Sequence, residues 1–366
     1  MSFGARIRIR LGALQHNFTI LRNAAGAAKI CAVVKANAFG HGLLTITRNL
    51  PDVDSFAVAR LSEARTLRDD GNKKPIVLLA GVLTNDDLRQ ALHLDCEIVV
   101  HNLSQLEALE AFGPAAATVW LKVDTGMHRL GVFPEDVESC VERLRACPAV
   151  KSTRLMSHLA NADDPDDPMT STQLRRFDEI AGKFSGDISI ANSAAILAPG
   201  RHAAVKARAG SNVWVRPGIA LYGVSPLKGH CGADLGLQPV MEFESHLVAV
   251  KLVRKGEPVG YGGTWTAGQD TAIGIVSAGY GDGYSRFLPS GTPVLVNGRR
   301  VPLAGTVSMD MLAVDLGPAS RDKAGDNVLL WGGDLPVEEV AANAGTIAYQ
   351  LICGVTHREP AVVVPA

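Results

Sequence analysis

Short apolar runs rich in β-branched residues recur along the first two thirds of the chain, and segments with helical spacing separate them. Each run is apolar enough to be buried on both faces, as the strands of a parallel barrel are. The runs cover residues 30–35, 55–58, 75–79, 96–100, 118–123, 153–157, 187–191 and 213–216. The helical segments between them include residues 62–70, 84–92, 102–112 and 134–146. This alternation predicts an α/β fold with a (β/α)8 barrel of the TIM type.

The pattern changes beyond about residue 228. Short apolar or alternating segments, broken by Gly and Pro turns, predict a second and mainly β domain. These segments cover residues 242–253, 271–277, 293–296, 307–316 and 327–331. At the N-terminus, Ile7, Ile9 and Leu11 alternate with arginines, which is typical of a strand and lacks the apolar core of a signal peptide.

Composition excludes several classes of function. The 366 residues carry 36 basic and 37 acidic side chains without a long run of one sign, so a nucleic-acid or membrane-surface role is not indicated. No stretch reaches the length of a membrane span. The six cysteines show no Cys-x-x-Cys pair and no histidine at zinc-ligand spacing, so we predict reduced thiols in a cytoplasmic protein without a metal site.

Polar residues that could carry chemistry follow the predicted strands. Ligands of such barrels bind at the carboxyl ends of the strands. Ser193 offers a hydroxyl, and Gly218-Ile219 offers backbone N–H groups without a crowding side chain, which together predict a phosphate site. An amine at Lys35 opposite a phosphate site suggests pyridoxal 5'-phosphate, bound as a Schiff base. The strand-end segments are Lys35, 122–131, 157–158, 192–193 and 216–219.

The motifs resemble those of the alanine racemases, in the same order and over nearly the whole chain. Several independent motifs agree, which makes a chance match very unlikely. They read VVKANAFGHG (33–42), KVDTGMHRLG (122–131), SH (157–158), NS (192–193), RPGIALYG (216–223), GYG (260–262), GDGY (281–284) and MD (309–310).

The resemblance implies a barrel over residues 12–228, a C-terminal β domain over 229–366, and residues 1–11 as a strand joining that β domain. It implies a homodimer whose active sites are shared between subunits. Lys35 would hold the cofactor as an internal aldimine and serve as the base on one face of the substrate. Tyr261 of the partner subunit would be the base on the other face. The reaction would interconvert L- and D-alanine, to supply peptidoglycan precursors or to catabolise alanine.

The family pattern implies roles for further residues of this chain. His158 and Arg216 would form a hydrogen-bonded chain between Tyr261 and the pyridine nitrogen, while Arg129 and the backbone of Met309 would bind the substrate carboxylate. Lys122 matches a lysine that is carbamylated in many members. Asn192, Ser193, Gly218, Ile219 and Tyr349 would bind the cofactor, and Tyr284 would lie at the substrate entrance.

Two positions depart from the family pattern. Phe39 replaces a tyrosine, which removes a hydroxyl near the phosphate, and Ser308 replaces a cysteine before Met309. Both leave the amino-acid preference open, so a broader-specificity amino-acid racemase is an alternative. A barrel-type decarboxylase usually pairs the pyridine nitrogen with a carboxylate, and Arg216 argues against it. A non-catalytic pyridoxal phosphate carrier would lack the second domain.

Overall fold

A closed barrel of parallel strands forms the N-terminal part of the computed structural model, which describes residues 4–198 and 207–365. A first strand, β1 (Arg6–Arg10), precedes the barrel. The barrel strands are β2 (Lys29–Val33), β3 (Ser55–Val58), β4 (Ile76–Leu78), β5 (Cys96–Val100), β6 (Ala117–Lys122), β7 (Val150–Met156), β8 (Ile188–Asn192) and β9 (Val213–Arg216). Strand β9 pairs with β2 and closes the ring. The predicted (β/α)8 barrel is therefore confirmed.

Burial on both sides explains why these strands read as continuous apolar runs. Every residue of β3, β4 and β5 is buried, because the barrel interior covers one face and helices cover the other. The helices of this part are α1 (Leu11–Ala25), α2 (Leu43–Arg48), α3 (Leu61–Asp69), α4 (Asn85–His93), α5 (Leu103–Phe112), α6 (Val137–Ala146), α7 (Pro168–Ala181) and α8 (Ser193–Leu197). The side chains of Thr84 and Asn102 cap α4 and α5 by accepting backbone N–H groups.

Arg154 of β7 packs against two tryptophans and two carboxylates from other barrel strands and their amino ends. Its guanidinium carbon lies 5.2 Å from the ring centroid of Trp120 and 5.1 Å from that of Trp214. Glu97 and Asp187 lie 2.9 Å and 3.5 Å from its nitrogens. The two indole N–H groups donate to the same carboxylates, at 2.6 Å and 2.8 Å. We call these five residues the Arg154 cluster.

The C-terminal domain is a mainly β structure that includes the first strand of the chain. Its strands are β10 (Met241–Val253), β11 (Pro258–Val259), β12 (Trp265–Thr266), β13 (Thr271–Val276), β14 (Pro293–Val296), β15 (Arg299–Pro302), β16 (Leu312–Gly317), β17 (Asn327–Trp331) and β18 (Val362–Val364). Strand β1 pairs antiparallel with β10 and parallel with β18. Residues 1–3 of the predicted first strand lie outside the described residues.

Two short helices complete this domain, α9 (Val337–Asn343) and α10 (Ala348–Cys353). Both belong to the side of the β domain that faces the barrel, since Glu338 and Tyr349 line the same cavity as barrel residues. Among the described residues, no helix has the length and apolar character that crossing a bilayer requires. The cavity between the barrel and α10 therefore combines polar side chains of both domains.

Candidate active site

A cavity of about 910 Å³ opens at the carboxyl ends of the barrel strands. Most of the side chains predicted from the sequence line it together, although they come from distant parts of the chain. They are Lys35, Lys122, Arg129, His158, Asn192, Ser193, Arg216, Gly218, Ile219 and Tyr349. The barrel therefore brings the predicted strand-end residues into one site.

Lys35 begins a left-handed turn that the sequence did not predict. Ala36, Asn37 and Ala38 each have φ 53°, and Phe39 has φ 52°, although none of them is glycine. A left-handed conformation costs about 1–2 kcal/mol per L-residue, so four in succession need support from the rest of the structure. The turn ends at Gly40, where an added Cβ would lie 2.1 Å from the carbonyl oxygen of Ile352 in α10.

Side chains on two sides support this turn. The amide oxygen of Asn37 accepts the Leu43 N–H at 2.8 Å, and a carboxylate oxygen of Glu63 accepts the Ala36 N–H at 2.6 Å. Nδ1 of His41 lies 2.9 Å from the carbonyl of Phe39, so this nitrogen carries the hydrogen and donates. Burial lowers the pKa of His41 to about 4, which keeps its ring neutral.

The cavity concentrates positive charge. Burial lowers the pKa of Lys122 to about 8, and the nearby cations Arg216, Arg129 and Lys35 lower it further in the same direction. Burial, followed by the charge of Arg129, also lowers the pKa of Lys35. Lysine amines in this setting are neutral more often than free lysine, and a neutral amine is the nucleophilic form. The excess of cations fits an anionic ligand.

Arg216 is held rigidly at the end of β9. Its guanidinium donates to the Ser189 hydroxyl, to the Ser157 carbonyl at 2.6 Å and to Nδ1 of His158 at 3.4 Å. Burial, followed by the charge of Arg216, lowers the pKa of His158 to about 3, so this ring is neutral at pH 7 and can accept that hydrogen bond. Burial lowers the pKa of Arg216 to about 10, which leaves the guanidinium charged.

Ser193 and Gly218 form a cradle beside Lys35. The Ser193 hydroxyl oxygen accepts the Gly218 N–H at 2.8 Å. A Cβ on Gly218 would lie 3.1 Å from the para carbon of Phe39 and would narrow the cradle. Asn192 caps α8 by accepting the Ala195 N–H at 3.1 Å. The donors of the cradle and the surrounding cations fit a phosphorylated cofactor that also offers a carbonyl to Lys35.

Of the predicted residues in the β domain, Tyr349 lines this cavity, whereas Tyr261 and Met309 do not. The side chains of Tyr261 and Met309 are 68% and 54% exposed. The backbone around Met309 is fixed, because the Ser308 hydroxyl donates to the Met311 carbonyl at 2.6 Å and the Gly281 N–H donates to the Met309 carbonyl at 2.8 Å. Ser308, the departure from the family pattern, thus closes the turn that presents Met309.

The prediction that Tyr284 lies at the substrate entrance is wrong. Its side chain is 0% exposed and packs in the core of the β domain, with ring centroids 6.0 Å from Trp331 and 6.4 Å from Phe243. Burial raises the pKa of its hydroxyl. Tyr280, which sequence reasoning missed, is 41% exposed, and its N–H donates to the Ser308 carbonyl beside Met309. The glycines of this segment flank both tyrosines, so the sequence carried no signal that would have selected Tyr280.

Comparison with known families places both parts of the chain. Residues 9–226 match the family model of the alanine racemase N-terminal domain, and residues 240–363 match that of the alanine racemase C-terminal domain. The alanine racemase of Shewanella putrefaciens is 50% identical over 355 residues, which are 96% of this chain and 97% of the relative. The biosynthetic alanine racemase of Escherichia coli is 51% identical over 358 residues, 97% of each chain.

Solved structures agree with these matches. The crystal structure of biosynthetic alanine racemase from Pseudomonas aeruginosa superposes with a TM-score of 0.93 at 42% identity, covering 100% of both chains. Alanine racemase from Acinetobacter baumannii gives a TM-score of 0.89 at 35% identity, again over 100% of both chains. The similarity therefore extends over the barrel and the β domain together.

Proposed function

The chain belongs to the alanine racemase family, whose members are isomerases that use pyridoxal 5'-phosphate, and we propose that it interconverts L- and D-alanine. The observation that carries this proposal is the convergence of Lys35, His158 and Arg216 with the Ser193–Gly218 cradle in one cavity. Two relatives are named biosynthetic, which supports a role in supplying D-alanine.

The cofactor would be held at both of its ends. Lys35 would bond to the aldehyde carbon, while the Ser193 hydroxyl, the Ile219 N–H and the Tyr349 hydroxyl would bind the phosphate, and the Gly218 N–H would hold the Ser193 oxygen in place. When bound, the conjugated ring of the cofactor accepts the electron pair that is left when a proton leaves the substrate α-carbon. Asn192 and His158 would shape the wall between these two ends.

Two bases would exchange the α-proton on opposite faces. Inversion requires removal of the proton on one side of a planar centre and return on the other, so two positioned groups are the simplest arrangement. The amine of Lys35 would act on one face. The hydroxyl of Tyr261 from the partner subunit would act on the other, with His158 and Arg216 connecting it to the pyridine nitrogen through hydrogen bonds.

Arg216 would set the selectivity of the reaction. A guanidinium donates hydrogen bonds and keeps its proton, so the pyridine nitrogen facing it would stay unprotonated. Electron withdrawal into the ring would be weaker than with a carboxylate partner, and transamination would be suppressed. Arg216→Glu is expected to increase transamination relative to racemisation, measured as pyruvate formed per alanine inverted. An unchanged ratio would remove this role from Arg216.

The substrate carboxylate would be bound by Arg129 and by the Met309 N–H of the partner subunit. A guanidinium can hold a carboxylate with two parallel hydrogen bonds. We propose that Lys122 carries a carbamate that orients Arg129, because its lowered pKa, about 8, leaves part of the amine free to add to carbon dioxide with release of a proton. Labelled bicarbonate is expected to give a carbamate carbon signal in 13C NMR that Lys122→Ala lacks.

The activity is tested by incubating the protein with L-alanine in deuterated water. Loss of the α-proton signal in NMR together with loss of optical rotation supports racemisation. Release of carbon dioxide would indicate a decarboxylase, and no change in substrate would indicate a carrier. Lys35→Ala is the control and is expected to abolish exchange. The same assay with serine and other small amino acids tests a broader specificity.

We propose a homodimer that shares its active sites, since Tyr261 and Met309 are exposed on the β domain, away from the cavity of their own subunit. Mixing Lys35→Ala with Tyr261→Phe tests this arrangement. Mixed dimers contain one site with both native residues, so random exchange of subunits restores about one quarter of the native sites. If each site is built from a single subunit, mixing restores nothing.

A further inference from the structure

Glu63, in the first turn of α3, joins two loops through one carboxylate. One oxygen accepts the Ala36 N–H at 2.6 Å, in the left-handed turn that follows Lys35. The other oxygen accepts the N–H groups of Ala59 and Arg60 at 2.9 Å and 3.0 Å, at the start of α3. The carboxylate therefore ties the Lys35 turn to the end of the neighbouring barrel strand.

The bond to Ala36 acts on Lys35 through the peptide plane. The Ala36 N–H belongs to the planar unit that begins at the Lys35 carbonyl, so holding that N–H fixes the ψ angle of Lys35. Strand β2 holds the chain before Lys35 and Glu63 holds the peptide plane after it, so the Cα that carries the Lys35 side chain is fixed from both sides. Because the next four residues have positive φ, the turn has little intrinsic preference for its conformation and depends on such external bonds.

Glu63 acts from behind the turn and does not reach the reacting groups. Its side chain lines a separate surface groove of about 490 Å³, together with Asn37 and Gly42, whereas Lys35 lines the active-site cavity. Glu63 is thus unable to contact a cofactor or substrate in that cavity. Its charge favours the ammonium form of Lys35, against the larger effects of burial and of Arg129, which lower the pKa of Lys35.

Both carboxylate oxygens are needed at this position. Each accepts at least one backbone N–H, and an ionised carboxylate has only acceptors. A glutamine would turn an NH2 group toward one of these donors and lose that bond. An aspartate keeps the charge, but it is one methylene shorter and cannot span both loops.

We propose that Glu63 is a positioning residue that holds Lys35 in the orientation in which its amine bonds to the cofactor. This inference rests on the proposed function for the bond between Lys35 and the aldehyde, and it adds a residue outside the cavity to the machinery of the site. The left-handed turn after Lys35 and the Glu63 carboxylate that binds it then act together in positioning Lys35.

The test uses the purified full-length protein with its cofactor. Hydroxylamine displaces the lysine amine and releases the cofactor as an oxime, and the rate is followed by visible absorbance. The cofactor is expected to leave Glu63→Gln at least about 10-fold faster than it leaves the wild-type protein. This factor is the scale of losing one hydrogen bond to a charged group. Borohydride reduction and peptide mapping measure the fraction of cofactor attached to Lys35, which is expected to fall.

Thr84→Ala is the matched control. It removes the cap of the neighbouring helix α4, whose Thr84 hydroxyl accepts the Asp87 N–H at 3.0 Å, and leaves the Lys35 turn untouched. Its thermal stability is expected to fall as that of a lost helix cap does, while its release rate stays within about two-fold of wild type. If Thr84→Ala released its cofactor as fast as Glu63→Gln does, the loss of any helix cap would have the same effect, and the proposal would be overturned.

Glu63→Asp distinguishes the length of the side chain from its charge. It is expected to behave like Glu63→Gln, and an aspartate variant with the wild-type rate would overturn the proposal because charge alone would suffice. Glu63→Gln at the wild-type rate would overturn it while the proposed function stands. Wild-type protein with no cofactor on Lys35 would overturn both.

Discussion

Tyr280 and Tyr284 lie four residues apart in one glycine-rich segment, and the structure gives them opposite environments. Tyr280 is 41% exposed beside the Met309 turn, whereas Tyr284 is fully buried between Trp331 and Phe243. The sequence places glycines before and after Tyr280 and between the two tyrosines, so local composition does not tell them apart. Only the packing of the β domain decides which phenol points to the surface.

Removing the Tyr284 hydroxyl tests its corrected position. This hydroxyl is buried and has no hydrogen-bond partner among the residues that the structure describes. Tyr284→Phe is expected to leave alanine racemisation unchanged and to keep or raise stability by up to about 1 kcal/mol, because no hydrogen bond is lost. The measurements are kcat/KM and thermal unfolding. A large fall in kcat/KM would mean that the Tyr284 hydroxyl takes part in the active site after all.

Phe39 allows a gain-of-affinity test. Its para carbon is the nearest atom to the Cβ that Gly218 lacks, so a hydroxyl added there points into the proposed phosphate cradle. Phe39→Tyr is expected to tighten pyridoxal phosphate binding about five-fold, the equivalent of one net hydrogen bond. The measurement is the Kd of the cofactor for the apoprotein.

Tyr349→Phe serves as the counterpart of that variant. The ring of Tyr349 lies 6.1 Å from that of Phe39, so both variants change the same end of the cavity by one oxygen atom. Its cofactor Kd is expected to rise by a similar factor. If Phe39→Tyr binds the cofactor no more tightly than wild type, the phosphate does not occupy the Ser193–Gly218 cradle.

At the scale of elements, the barrel strands were predictable because each is a buried run. The predicted limits 55–58, 96–100 and 213–216 coincide with β3, β5 and β9. Strand β7 begins three residues before the predicted run, at Val150, because the polar residues Lys151 and Ser152 interrupt the apolar pattern at its amino end. Hydrophobic periodicity indicates which residues are buried. It therefore does not detect the parts of a strand in which the side chains are polar.

The left-handed turn after Lys35 could not be predicted in the same way. Its residues are Ala, Asn, Ala and Phe, of which only Asn adopts positive φ with any frequency. Glu63 and His41 bind the backbone of the turn at Ala36 and Phe39, and the side chain of Asn37, within the turn, binds the Leu43 N–H. A tertiary hydrogen bond such as that of Glu63 leaves no periodic signal in a sequence.

The Arg154 cluster is another element that pattern reading missed, and its energetics can be tested. Arg154→Met keeps most of the side-chain volume and leaves Glu97 and Asp187 without their cation. Breaking a largely buried ion pair in this way is expected to lower the free energy of unfolding by about 3–5 kcal/mol. Urea denaturation measures the loss. No member of the cluster lines the active-site cavity, so the site is expected to remain intact in the folded variant.

An exposed ion pair provides the comparison for that variant. Arg89 lies 3.1 Å from Asp86 on α4, with side chains 65% and 69% exposed. Arg89→Met is expected to change the free energy of unfolding by less than about 0.5 kcal/mol, since water screens such pairs. If Arg154→Met and Arg89→Met lowered the free energy of unfolding by the same amount, burial would not make the ion pairs of the Arg154 cluster more important for stability than an exposed pair.

On the scale of the whole molecule, the two domains are joined at both ends of the barrel sequence. Strand β1 precedes the barrel but pairs with β10, so the chain enters and leaves the barrel from the β domain. Glu338 at the start of α9 adds a further link, because one of its oxygens accepts the N–H groups of Ser225 and Gly232 at 2.8 Å and 2.9 Å. These two residues lie in the segment that follows the last barrel strand, β9.

This carboxylate makes the junction sensitive to pH. Burial raises the pKa of Glu338, which means that the folded state disfavours its charged form. Below the ordinary Glu pKa of about 4.3 the group is neutral in both states and the effect is absent. As the pH rises from there through the raised pKa, the native state loses stability relative to the unfolded chain, and above it the loss is constant.

Glu338→Gln should therefore stabilise the junction at neutral and higher pH. Both backbone N–H groups donate to the same oxygen, so the amide oxygen of glutamine can accept both while the buried charge disappears. The melting temperature is expected to rise on the order of 1–2 °C at pH 8, with no gain at pH 4. Glu339→Gln is the adjacent control, because Glu339 forms a half-exposed pair with Arg300 and its loss is expected to give no gain at either pH. A Glu338→Gln protein that melts below wild type at pH 8 would mean that the charge strengthens the two hydrogen bonds by more than its burial costs, and the junction would then be held by the anion itself.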